Sequence, residues 1–480
     1  MKKRDVINAT LCAALLSLLT AGQLAAQTAT GPDTEQKNGR RAGPPHQPPP
    51  FPAPENADVI VGRPSSASVT LSVRRNDADG TAELLYWAEG SNPASATIAG
   101  PFPLSQAEPR NLHLQGLRAD TVYFYQLRVS GQTGKLPEGR FRTARSAGQP
   151  FQFTITADSH LDQNTSTALY RETLNNIRQR EPDFHIDLGD TFMTDKYPSR
   201  DDALRQYQAQ RIFFSSMADR VPLFLVLGNH DGEDVKLRRG PDNLAVWANT
   251  QRRRYFPNPQ PDSFYSGAPV HEGASALEDY YAWQWGDAQM IVLNPYWYGP
   301  ERRAPERWNL SLGDQQYAWL EQTLRQSKAA YIFVFIHQLA GGADRQGRGG
   351  AEAVPFGEWG GLNADGTPGM AANRPGWKEP VHALLHRYRV SAVFHGHDHL
   401  YASQQRDGII YQEVPQPAHS GGGDEKSATE YGYLSGTVLA KAGFMQVSVS
   451  PQMARVALYP AGADTSAAPL HSYQIAPRKP

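Results

Sequence analysis

Five short apolar runs between residues 151 and 394 each stop at a residue able to bind a metal ion or move a proton, and no other feature constrains the fold as strongly. FQFTITA (151–157) is followed by Asp158-Ser159-His160, DFHIDL (183–188) by Gly189-Asp190, and VPLFLVL (221–227) by Gly228-Asn229-His230-Asp231. AAYIFVFI (329–336) is followed by His337, and VSAVF (390–394) by His395-Gly396-His397-Asp398-His399. Apolar runs of this length bounded by turn residues read as buried strands. Between them, residues 201–218 open on Asp201 and Asp202 and continue at helical spacing, and residues 314–327 set Tyr317, Leu320 and Leu324 on one helical face. Strands alternating with helices predict an α/β domain, and an open α/β sheet gathers the carboxyl ends of its strands along one edge.

Singly, each strand end has a plain structural explanation. His337 reads as a satisfied core histidine, Asp190 as a turn or cap residue after glycine, and GNHD as turn chemistry. Gathered in one crevice, these histidines, aspartates and asparagine repel one another or go unsatisfied unless a cation sits among them. Mixed nitrogen and oxygen donors suit transition ions such as Zn, Mn or Fe better than calcium. An aspartate among them can bridge two ions, the arrangement used for in-line attack at phosphorus.

The ordered set DSH, GD, GNHD, a strand-end histidine and GHDH resembles the calcineurin-like metallophosphoesterases. The stretch EDYYAWQWGDAQMIVLN makes the chain similar to the purple acid phosphatase branch and its bacterial relatives. The resemblance implies a four-layer α/β sandwich with two divalent metal ions. It implies that Asp158, His160 and His399 hold one ion, Asn229, His337 and His397 hold the other, and Asp190 bridges them. A metal-activated hydroxide attacks phosphorus directly in that family, with no phosphoenzyme. The resemblance also implies that His230, with Asn229, faces the substrate, stabilising the transition state or protonating the leaving oxygen. Asp231 is expected to orient His230. Asp398 reads equally as a support for a ligand or as turn chemistry, and His395 as structural. His397 and His399, at i and i+2, share a face on extended backbone, and Gly396 permits a close approach. Ser159, the alternative nucleophile, points away from the ligands on the same reasoning.

One position departs from the family. Met193, in GDTFM, stands where purple acid phosphatases carry the tyrosine that binds ferric iron. A colourless protein is expected, with Mn, Zn or ferrous iron. His271, Arg345 and Arg348 lie in loops able to approach phosphate, but are read first as solvated side chains. The Gly-rich stretch 341–376 reads as a long loop of the binding-site kind.

Ahead of this domain (148–480), residues 57–147 show short alternating strands, a hairpin signal at Asp79-Gly80, and the segment LQGLRADTVYFYQLRV. This segment and the closing strand GRFRTA resemble a fibronectin type III β-sandwich with Tyr123 as its corner tyrosine. Residues 27–56 are a Pro-rich tether. Residues 1–26 have the basic start, apolar middle and small-residue end of a secretory signal, too short in its apolar part to span a bilayer. The sole cysteine, Cys12, lies within it. The expectation is a periplasmic or secreted protein, not inserted in the membrane after cleavage, whose partner is a small phosphorylated substrate. Net charge of −1 excludes a strong electrostatic attraction for nucleic acid, and Gln251-Arg252-Arg253-Arg254 reads as a solvated face. Monoester hydrolysis is favoured; a phosphodiesterase with the same core and a non-catalytic envelope-binding protein are the alternatives.

Overall fold

The computed structural model describes residues 56–131, 137–269, 276–300, 304–342, 347–423 and 425–478. All of them belong to one compact unit, Pro45–Pro480. The expected secretory signal, the expected tether up to residue 55, His271 and Arg345 lie outside the described residues.

The amino-terminal part is a β-sandwich. Strands β1 (Ala57–Gly62), β2 (Ser68–Arg75) and β5 (Arg110–Gln115) form one sheet. Its partner sheet runs β4 (Thr97–Leu104), β3 (Gly80–Ala88), β6 (Val122–Val129), β7 (Glu138–Arg142). Alternate residues such as Val69, Leu71 and Val73 pack inward against Leu84, Tyr125 and Leu127. Tyr123 makes the corner its sequence position implies, its hydroxyl accepting from the Arg118 N–H at 2.9 Å. The Asp79-Gly80 hairpin is a misreading. β2 pairs with β1 and β5, and β3 with β4 and β6, so this turn carries the chain from one sheet to the other.

The remaining chain builds two larger sheets. The six-stranded sheet is ordered β10 (Leu223–Leu225), β9 (Phe184–Asp187), β8 (Phe151–Thr156), β19 (Gly443–Val449), β20 (Ala454–Pro460), β21 (His471–Ile475). The eight-stranded sheet is ordered β11 (Ser266–Gly267), β12 (Tyr281–Trp285), β13 (Ala288–Val292), β14 (Tyr331–Phe335), β15 (Ala392–His395), β17 (Ile409–Glu413), β16 (Tyr401–Arg406), β18 (Thr437–Leu439). Period-2 alternation assigns each face. In β14, Tyr331, Phe333 and Phe335 join Phe153, Phe184 and Trp283 in the core between the sheets. Ile332 and Val334 point the other way, onto Leu320 and Leu324 of α4 (Gly313–Gln326) and onto the helix Val381–Arg387. On the far face of the six-stranded sheet, α1 (Thr167–Gln179) and α2 (Arg200–Ala218) cover Leu223 and Leu225. The order is helix, sheet, sheet, helix, the expected four layers.

Ser166 and Ser199 cap α1 and α2, accepting the N–H groups of Leu169 and Asp202. A third helix, α3 (Leu244–Tyr255), contains the basic run. It is not simply solvated, because Arg252 is buried and pairs with Glu233 at 2.6 Å. The described residues of the 341–376 stretch are irregular except for short helices at Gly357–Gly360 and Met370–Asn373.

The β-sandwich is locked onto the larger domain through charge as well as packing. Arg211 of α2 is buried and pairs with Asp58 of β1 at 2.6 Å. The same guanidinium donates to the Ser72 carbonyl at 2.8 Å and to that of Tyr255.

Candidate metal centre

β8, β9 and β10 run parallel to one another, as do β14 and β15, so their carboxyl ends rise together. These ends belong to two facing sheets rather than to the edge of one open sheet, and here the sequence expectation needs correction. Three hydrogen bonds tie the ends together: Asp158 N–H to Gly189 O at 3.0 Å, Gly396 N–H to His337 O at 2.8 Å, and His337 Nδ1 to Leu188 O at 2.9 Å. The last crosses from one sheet to the other.

That crossing also fixes a tautomer. A backbone carbonyl can only accept, so His337 Nδ1 carries the proton and Nε2 is turned inward. Nε2 lies 3.4 Å from Asp190 Oδ2 and 3.9 Å from Asp158 Oδ1, buried, with no hydrogen-bond partner. Each carboxylate divides its oxygens in the same manner. Asp158 Oδ2 accepts the His397 N–H at 2.9 Å and Asp190 Oδ1 the His230 N–H at 2.8 Å, leaving one oxygen of each facing the histidines. Asp158 Oδ1 also lies 3.3 Å from His399 Nε2. Donor atoms of Asp190, His337 and His397 fall within 4.8 Å of one another.

The approach is close enough to demand glycine at two points. A Cβ on Gly228 would lie 2.2 Å from Asp190 Oδ1, and one on Gly396 would lie 2.8 Å from Asp158 Oδ2. Four proposed ligands have left-handed backbone: Asp158 (φ 53°), Asp190 (53°), His397 (83°) and His399 (60°). Such conformations cost on the order of 1–3 kcal/mol each and cluster at functional sites. They also correct the extended-backbone reading of His397 and His399, which a tight turn delivers instead.

Asn229 and His160 complete the set. Asn229 Oδ1 is buried without a partner. The His160 ring lies 5.1 Å from that of His399, but Nε2 faces the Gln416 amide at 2.9 Å and Nδ1 faces Asp162 at 3.3 Å. Gln416 engages His160 Nε2, while Nδ1 is buried without a hydrogen-bond partner.

His230 is oriented by a different aspartate from the one expected. Its Nδ1 lies 3.0 Å from Asp195 Oδ1. Asp231 instead accepts four backbone N–H groups, from Asp190 at 3.1 Å, Thr191 at 2.8 Å, Phe192 at 2.8 Å and Gly228 at 2.8 Å. Buried at 1% exposure, it clamps the GD turn to the GNHD turn and does not touch the imidazole it was expected to orient. Burial and the Asp190 charge push its carboxyl up to about 7, against the pull of the Phe192 and Gly228 N–H donors.

The neighbouring residues have supporting parts. Asp398 Oδ2 accepts from Gly349 N and Tyr433 Oη, both at 2.8 Å, and so anchors the 347–350 loop. Arg348 stacks on Tyr431 at 4.3 Å, with its Nε 3.8 Å from Asp398. His395 is buried against Glu413 at 2.6 Å, as the structural reading expects. Ser159 donates to the buried Asp187. Met193 is mostly buried, with φ 49°. Asp195 and Gln416 carry no signal in the sequence, since one meets the site through a turn and the other from a distant segment.

The donors fit a metal centre. Burial lowers the pKa of His337, but the Asp190 and Asp158 carboxylates outweigh it and hold the ring up at about 10. A positive charge belongs at this point, and a metal ion supplies it when bound. Imidazole nitrogens beside carboxylate and amide oxygens suit Zn, Mn or Fe.

Two facing mixed sheets flanked by helices, with a buried carboxylate and imidazole cluster where their parallel strands end, define a metallophosphoesterase fold. The calcineurin-like phosphoesterase family matches residues 151–401, and the chain belongs to that family. It is similar to probable purple acid phosphatase 20 of Arabidopsis thaliana, 22% identical over 300 residues, covering 62% of this chain and 55% of that protein. Purple acid phosphatase 23 of the same plant is 21% identical over 340 residues, covering 63% and 58%. The chain therefore spans somewhat more than half the length of these relatives. Among solved structures, that of PhoD superposes with a TM-score of 0.60 at 13% identity, covering 87% of this chain and 89% of that one. The purple acid phosphatase PPD1 from yellow lupin (Lupinus luteus) seeds gives 0.57 at 14% identity, covering 88% and 74%.

Proposed function

We propose that this protein is a metal-dependent hydrolase of phosphate esters, with monoesters preferred. The observation that carries the reading is the inward-facing, partnerless set of Asp158 Oδ1, Asn229 Oδ1 and His337 Nε2 beside Asp190. Asp158, His160 and His399 would hold one cation and Asn229, His337 and His397 a second, with Asp190 between them. Bound there, the cations supply Lewis-acid activation of water and neutralise charge on the phosphoryl oxygens. Asp195 holds His230 by Nδ1, leaving Nε2 to donate a proton to the departing oxygen. Asp231 keeps the Asp190 and His230 turns in register. At 23% side-chain exposure, His230 is open enough to meet a substrate, whereas His337 is sealed.

The proposed setting is the periplasm or the exterior, supported by the signal-like first 26 residues. Among the described residues no helix is long and apolar enough to cross a membrane. The test is hydrolysis of 4-nitrophenyl phosphate and bis(4-nitrophenyl) phosphate by protein reconstituted in turn with Mn, Zn and Fe. Turnover of the monoester above the diester is expected. Fully metallated protein that cleaves neither overturns the reading.

A further inference from the structure

Beside the metal cluster lies a cleft of about 180 Å³, lined in part by Asn229, Lys236, Tyr296, Arg307, Asn309 and Gln338. It is joined to the proposed chemistry by shared residues. Asn229 is one of the expected ligands, and the Tyr296 ring lies 6.2 Å from that of His337. The Tyr296 hydroxyl donates to Gln338 Oε1 at 2.7 Å, and its carbonyl accepts the Val235 N–H at 3.1 Å, which pins the Lys236 segment to the same wall.

Charge in the cleft is unbalanced. Among the described lining residues Lys236 and Arg307 are basic and Asp234 is the one acid, paired with Lys236 Nζ at 3.2 Å, so positive charge is in excess by one. Arg307 is also held at a cost. Its φ of 78° is left-handed, its guanidinium lies 5.1 Å from the Phe356 ring centroid, and Nη1 donates to Gly342 O at 2.9 Å. Left-handed positions of this kind cluster at binding and catalytic sites, and Arg307 stands at the wall of this cleft.

We propose that this cleft takes a second anionic group, a carboxylate or a further phosphoryl, carried by the organic part of the phosphoester, with Lys236 and Arg307 as its specificity residues. The inference rests on the phosphoesterase reading above and narrows its substrate class. A neutral, apolar leaving group gains nothing from two cations, whereas an anion reaching them makes charge-assisted hydrogen bonds. Asn309 and Gln338 add neutral polar partners suited to orienting such a group.

The test uses three aryl phosphates on the metal-reconstituted full chain: 4-carboxyphenyl phosphate, its neutral methyl ester, and 1,4-phenylene bisphosphate. Both anionic compounds are expected to exceed the methyl ester in kcat/KM by about 10-fold or more, chiefly through KM. Preference for the carboxylate or for the second phosphoryl identifies the source of the anion. Lys236→Gln and Arg307→Gln are each expected to shrink the anionic-to-ester ratio several-fold. Equal kcat/KM for all three substrates, or a ratio unmoved in both variants, overturns the cleft assignment while leaving the hydrolase intact. Hydrolysis of none of the three overturns both.

Discussion

Asp195, 35 residues from His230, and Asp231, its neighbour in sequence, show how two like residues come to different work. Asp195 reaches the His230 ring at 3.0 Å, whereas Asp231 spends both oxygens on backbone N–H groups. Asp195→Asn is therefore expected to keep its metal, lower kcat about 10- to 100-fold and shift the pH profile of kcat, the mark of a positioning residue. Metal loss in that variant would show that Asp195 supports the cluster instead. Asp231→Ala leaves four buried N–H groups without an acceptor and should cost on the order of 3–5 kcal/mol in urea unfolding. The types of ligand were legible because each stands directly after an apolar run, where chemistry in this kind of fold collects. Their supports were not. Asp195 arrives through a turn that begins at the left-handed Met193, and Gln416 comes from a segment 256 residues away from His160.

At the scale of strands and helices, the apolar runs give the right elements with blurred ends. The run 221–227 yields only the three-residue strand β10, because its remaining residues turn toward the site. The Asp79-Gly80 turn misled because pairing partners are fixed by the second sheet, which local sequence does not contain. His185 of β9 shows a buried polar residue made tolerable by its neighbours. Thr156 Oγ1 donates to Asp187 and so accepts His185 Nε2–H at 2.9 Å, while Nδ1 accepts from Thr154 at 2.8 Å. Burial pulls its pKa down to about 3, from the usual 6.5. Between these values the unfolded chain binds a proton that the folded chain refuses. His185 thus contributes stability above pH 6.5 that is lost as pH falls toward 3, at about 1.4 kcal/mol per pH unit. His185→Gln should flatten that part of the urea-unfolding profile; an unchanged slope between pH 6.5 and 4 contradicts the assignment. The same scale holds the Arg211–Asp58 pair between α2 and β1. Removing one partner strands a buried charge, so Arg211→Met should destabilise by about 3–5 kcal/mol, and Arg211→Met with Asp58→Asn by less. Additive losses in the double variant would mean that the two charges are not coupled.

For the whole molecule, two facing sheets bring strand ends from distant parts of the chain to one crown, and a β-sandwich is fixed to the outer helix layer. The four-layer order was legible from the family resemblance and from the alternation of strands with helices. The facing of two sheets was not, because it depends on β12 to β18 closing over β8 to β10 and β19 to β21. The central claim is that Asp190 holds metal while His230 acts on substrate. The measurement that tests it most directly is metal content per chain, set beside turnover of 4-nitrophenyl phosphate, in wild type, Asp190→Ala and His230→Ala. The account predicts about two ions in wild type, loss of both in Asp190→Ala, and His230→Ala that keeps its ions while turnover falls by 100-fold or more. Equal metal loss in the two variants, or full turnover by metal-free protein, would contradict it.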